Sequence, residues 1–124
     1  MVNILRQKDI TILELGPEYA DLDEAHLGRV AQQIVEVAKH ASPPLVVLDL
    51  SHIETFGGYF VQFLIRIWKL IKKRDGQLVL AGLSDEALNV LKRSKLESLW
   101  DRYPDREKAI EALKQAGQSD SEPR

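Results

Sequence analysis

Residues 45–64, LVVLDLSHIETFGGYFVQFL, limit the chain more than any other stretch. The run starts with six residues, Leu45 to Leu50, in which only Asp49 is polar. A strand with one wet face would alternate, so this run reads as a short strand covered on both faces. A polar turn then leads to Gly57-Gly58. Beyond it, Phe60, Val61, Phe63, Leu64, Ile67, Trp68, Leu70 and Ile71 recur at helical spacing. A buried strand that passes through a loop into a helix start is the functional edge of many open α/β sheets. At the glycine pair itself there is no cysteine, lysine or carboxylate, which points to a binding module and not to an enzyme.

The rest of the chain repeats this alternation. Residues 10–15, ITILEL, have period two and follow a shorter candidate strand near residues 2–6; Gly16-Pro17 ends the run. From Asp21 the period lengthens, and Leu22, Leu27, Val30, Ile34 and Val37 or Ala38 share a helix face. Asp21 with Glu24 has the spacing of a capping box, and Pro43-Pro44 stops the helix after His40. The glycine-pair helix carries Lys69, Lys72, Lys73 and Arg74 at its C-terminal end, favourable for its dipole, and Asp75-Gly76 closes it. Residues 77–83 form the next strand. Ser84 caps a helix that turns Leu88, Leu91 and Leu96 inward, and Asp105 caps a last helix to about Ala116, with Gly117 as its C-cap. Strand and helix in turn predict one α/β domain over residues 1–116, a mainly parallel sheet of four to five strands with helices packed against it. Residues 117–124, small and polar, are expected to be a disordered tail.

Length and charge exclude several functions. A chain of 124 residues is long enough for one domain that buries roughly 65–70% of its unfolded surface. A net charge of -2 gathers neither phosphate backbones nor anionic lipids, so neither nucleic acid nor membrane is an expected partner. With no cysteine there are no disulfides or thiolate metal sites, and no apolar run reaches a membrane span. A cytoplasmic protein is the expectation.

Candidate chemistry is sparse. Asp49, Ser51 and His52 are the residue types of a hydrolytic triad, but neighbours on an extended chain diverge, so Asp49 and Ser51 are read as ordering the turn. His26, His40 and His52 have no metal-ligand spacing, and no phosphate-binding glycine motif exists. Neither a catalytic residue nor a cofactor is expected. Gly57-Gly58 is read as a tight turn or a close approach of helix and sheet where only glycine fits; the alternative is an anion on the helix-start amides, as in a small-ligand (anion or nucleotide) sensor. Trp68 and Trp100 are read as core, and the Lys69 to Arg74 cluster as a solvated helix end.

The strand ending Asp49-Leu50-Ser51, the strand QLVLAGL at 77–83, and Leu96-Glu97-Ser98-Leu99-Trp100 followed by Glu107-Lys108-Ala109-Ile110 resemble a STAS domain, the domain of bacterial anti-sigma factor antagonists. The resemblance spans residues 1–116. It implies a non-enzymatic switch in transcription regulation. In the family the loop after the strand reads roughly Asp-Ser-Ser-Gly, and an anti-sigma factor kinase phosphorylates the first serine. Aligned without gaps from Leu50-Ser51, the family's Asp falls on Gly57, its phosphoserine on Gly58, the next serine on Tyr59 and the glycine on Phe60, with Phe56 before them. The chain therefore keeps the scaffold and lacks the acceptor. A gapped alignment, three residues shorter, sets Glu54-Thr55-Phe56-Gly57 on the motif and makes Thr55 the acceptor. The implied partner is a protein, an anti-sigma factor kinase or related regulator, met by Thr55, Phe56, Gly57, Gly58, Tyr59 and Phe60.

Overall fold

The computed structural model describes residues 2–17, 21–22 and 24–121. Strands β1 (Val2–Gln7) and β2 (Ile10–Leu15) pair as an antiparallel hairpin, Val2 opposite Leu15 and Gln7 opposite Ile10. The short strand β3 (Asp21–Leu22) precedes helix α1 (Glu24–His40). Strand β4 (Leu45–Asp49) follows, then β5 (Thr55–Phe56), helix α2 (Gly58–Lys72) and strand β6 (Gln77–Ala81). Helix α3 (Asp85–Arg93), a 3-10 turn (Glu97–Leu99), strand β7 (Asp101–Tyr103) and helix α4 (Arg106–Ser121) complete the chain. The main sheet has the order β1-β2-β4-β6-β7, with every pairing after the first hairpin parallel.

The unbroken apolar run of β4 has a direct cause. Val46 and Leu48 face one side, packing with α1, α2 and α3 around Ile34, Phe60, Leu64, Ile67, Ile71 and Leu91. Val47 faces the other side and meets Ile10, Ile12, Val79 and the α4 residues Ala109, Ile110 and Leu113. Both faces are dry, as a parallel strand between helix layers requires. The caps behave as their residue types demand: Ser84 Oγ accepts from the Ala87 N–H at 3.0 Å, and Asp105 Oδ1 accepts from the Lys108 N–H at 2.8 Å.

Four local expectations are corrected. Asp21 does not cap α1: Asp21 and Leu22 pair in parallel with Thr55 and Phe56, and Asp23, just before the helix, lies outside the described residues. A two-residue pairing leaves no periodicity to read. Strand β6 stops at Ala81 because Gly82 turns at φ +74, its N–H donating to the Tyr103 carbonyl at 3.0 Å. In α3 the buried residues are Ala87 and Leu91, while Leu88 is half-buried. Helix α4 continues through Gly117 to Ser121, since one interior glycine costs only about 1 kcal/mol and does not stop a growing helix. Of the expected tail, residues 122–124 lie outside the described residues. Trp100 is in the core; Trp68 is half-buried and packs against it.

Candidate functional site

The parallel strands end on one edge, and there β4 gives way to the turn leading into β5 and α2. Asp49 Oδ1 accepts the Ser51 N–H at 3.0 Å, so this carboxylate orders the turn as expected. The Ser51 backbone is pressed against Gly82, where an added Cβ would stand 2.9 Å from the Ser51 Cα. Ser51 and His52 are both exposed, and the Asp49 carboxylate is taken up by other partners. The three triad residue types do not assemble. Among the described residues there is also no group of three or more His, Asp or Glu able to hold a metal.

Phe56 and Phe60 hold the β5–α2 junction from within. Both are buried, and their ring centroids lie 4.7 Å apart at a tilt of 46°. Phe63 continues the stack at 6.3 Å. With the aromatic side turned in, Gly57, Gly58 and Tyr59 form the outer side, and Tyr59 is 61% exposed. Gly57 is the N-cap of α2 at φ -106, with no side-chain cap, and its carbonyl accepts from the Phe60 and Val61 amides.

The glycine pair is not there for space. A Cβ built on Gly57 or Gly58 meets nothing within 4 Å, and neither residue has a positive φ. The expected tight approach to the sheet is therefore corrected: Phe56 and Phe60 fill the inward side, leaving the glycines facing outward. A serine would fit at either position. Thr55 lies elsewhere, in β5 and half-buried, lining a hollow of about 270 Å³ with Glu86, Asn89, Val90 and Arg93. Tyr59 lines a different hollow of about 400 Å³ between α1 and α2, with Leu27, Gly28, Ala31, Gln62, Phe63 and Arg66.

One polar cluster near this edge has no counterpart in local sequence. The Arg106 guanidinium donates to Asp49 Oδ2 from Nε at 3.0 Å and lies 2.9 Å from it at Nη2, and Nη2 also pairs with Glu14. Asn3 Nδ2 donates to Glu14 Oε1 at 2.9 Å. That bond, with help from Arg106 and against some desolvation, holds the Glu14 carboxyl below its ordinary range. Burial disfavours the Arg106 charge, but the two carboxylates outweigh it and raise its pKa. Separations of 57 and 92 residues hide this cluster from any motif search.

A sequence model described as "Mlab, STAS domain" matches residues 19–101, more than half of the chain. The chain belongs to the STAS family. A solved anti-sigma-factor antagonist (STAS) domain protein from Planctomyces limnophilus is 26% identical, covers 90% of this chain and 97% of its own, and superposes with a TM-score of 0.86. The anti-sigma factor antagonist SpoIIAA of Bacillus, in its unphosphorylated form, is 13% identical over 93% of this chain and 97% of its own, with a TM-score of 0.77. A sulfate transporter family protein from Wolinella succinogenes is 16% identical over 92% of each chain, with a TM-score of 0.74. The last two likenesses are of fold alone. No curated protein matches the sequence. Among the described residues no helix of this STAS domain is long and apolar enough to cross a membrane.

Proposed function

We propose that this STAS domain is a non-enzymatic protein-binding module whose contact region is the β5–α2 junction, Thr55 to Phe60, presented through Thr55, Gly57, Gly58 and Tyr59 with Phe56 and Phe60 holding it from within, and that it is not switched by phosphorylation at the family's serine position. One observation carries this reading. Gly58, on which the family's phosphoserine falls, is the exposed first residue of α2, with open space where a side chain would stand and no hydroxyl to accept phosphate. SpoIIAA, by contrast, is known in an unphosphorylated and in a phosphorylated form. A phosphate adds about -1.5 to -2 of charge and can abolish a fitted interface. With glycine there, the surface keeps one state. The partner on this reading is an anti-sigma factor or a related cytoplasmic regulator.

Sensing of a small anion has less support. It rests on the uncapped start of α2, and among the described residues the one buried side-chain donor without a partner is Trp100 Nε1, in the core. A photo-crosslinking side chain at position 59, introduced in the native cells, tests the contact surface. The expected result is one dominant adduct from position 59 and none from position 8, in the β1–β2 turn at the opposite edge of the sheet. Equal capture from both positions, or none from position 59, contradicts the proposal.

A further inference from the structure

Between Gly58 and Arg74, helix α2 and the two residues after it carry Arg66, Lys69, Lys72, Lys73 and Arg74 and no acidic residue, the first being Asp75 in the closing turn, in a chain whose net charge is -2. Tyr59, Gln62, Arg66, Lys69 and Lys73 follow one another at steps of three and four, a single stripe about 21 Å long at 1.5 Å per residue. All five are exposed. The stripe borders two shallow, open hollows, of about 400 and about 380 Å³, which lie side by side and share Gln62 and Arg66. Leu27 and Phe63 in the first are buried, while Ile65 and Leu70 in the second are half-buried. On the α1 side the wall is small: Ala31, and Gly28, whose added Cβ would meet nothing within 4 Å.

We propose that this stripe is a groove for an amphipathic helix with acidic flanks, contributed by the protein partner. The proposal rests on the contact surface inferred above, since the groove begins at Tyr59. Small residues on one wall let a second helix approach closely, half-buried apolar side chains receive its anchors, and the cations, which have no carboxylate partner among the described residues, select acidic flanks. An anionic membrane fits less well. Among the described residues this face's one exposed large hydrophobic is Tyr59, too little apolar surface to insert into a bilayer; the others, Ile4 and Leu5, lie on β1.

The test selects binders of the full chain from displayed amphipathic helices whose flanking positions are drawn equally from glutamate and lysine. Glutamate-rich helices are expected to dominate. Their affinity should weaken as salt rises from about 0.05 to 0.5 M, and should fall at least about tenfold on combining Arg66→Glu, Lys69→Glu and Lys73→Glu. Gly28→Trp, which fills the hollow without changing charge, should abolish it, with circular dichroism verifying that both variants fold. Lysine-rich or charge-neutral selection overturns the groove, as does the absence of any selected helix. Binding indifferent to charge reversal overturns it too, and so does binding to equimolar phosphatidylglycerol–phosphatidylcholine vesicles that no selected helix competes away. The crosslink from position 59 depends on no charge. A retained crosslink without acidic selection therefore removes the groove alone, whereas loss of the crosslink removes the contact surface itself.

Discussion

Arg106 joins two carboxylates that sit on different strands, and one of them, Asp49, is only 5% exposed. Replacing Arg106 with alanine leaves that carboxylate buried with the Ser51 N–H as its remaining described partner, so urea unfolding should show a loss of about 2–3 kcal/mol. An unchanged midpoint would mean that the cluster is ornamental. Glu14 adds a pH dependence with a defined sign. Its folded pKa lies below the ordinary carboxyl value, so its contribution is present above that value and lost as pH falls through the folded one. Asn3→Ala removes the first cause of the depression. The variant should therefore show a shallower loss of stability on acidification than the wild type, measured by urea midpoints between about pH 2 and 5. None of this is legible in the sequence. The sequence displays Asp49 beside Ser51, and their turn was readable; the partner 57 residues away is a product of topology.

At the scale of elements, two glycines differ in what their surroundings demand of them. Gly82 has φ +74 and faces Ser51 so closely that a Cβ would stand 2.8 Å from the Ser51 Cβ. Gly82→Ala should cost at least about 2 kcal/mol. Gly58 has helical geometry and open space, so Gly58→Ala should raise stability by about 0.5–1 kcal/mol, read from thermal melts. A destabilised Gly58→Ala would show that the junction is packed more tightly than its geometry allows. The helix with its apolar face and the strand buried on both sides were evident from spacing, because long periodic segments announce themselves. Strands β3 and β5 were not, at two residues each. Helix α4 runs past Gly117, a stop signal in the sequence, because glycine in a helix interior is a cost and not a barrier.

For the whole molecule, the order of strands and helices implied a mainly parallel sheet, and the molecule has one, with α1, α2 and α3 on one face and α4 on the other. That architecture brings the β5–α2 junction to the edge where the parallel strands end. It also leaves a basic stripe of α2 uncovered beside it. The fold follows from patterns of buried side chains, which sequence records well; the proposed site rests on what is missing at position 58, which acquires meaning only against the family. The proposed function stands or falls with that acceptor being absent. Phosphopeptide mapping of the protein purified from its own cells, in growth and under stress, tests it most directly. The account predicts that the segment 54–66 carries no phosphate under either condition, whereas phosphate on Thr55 would contradict it.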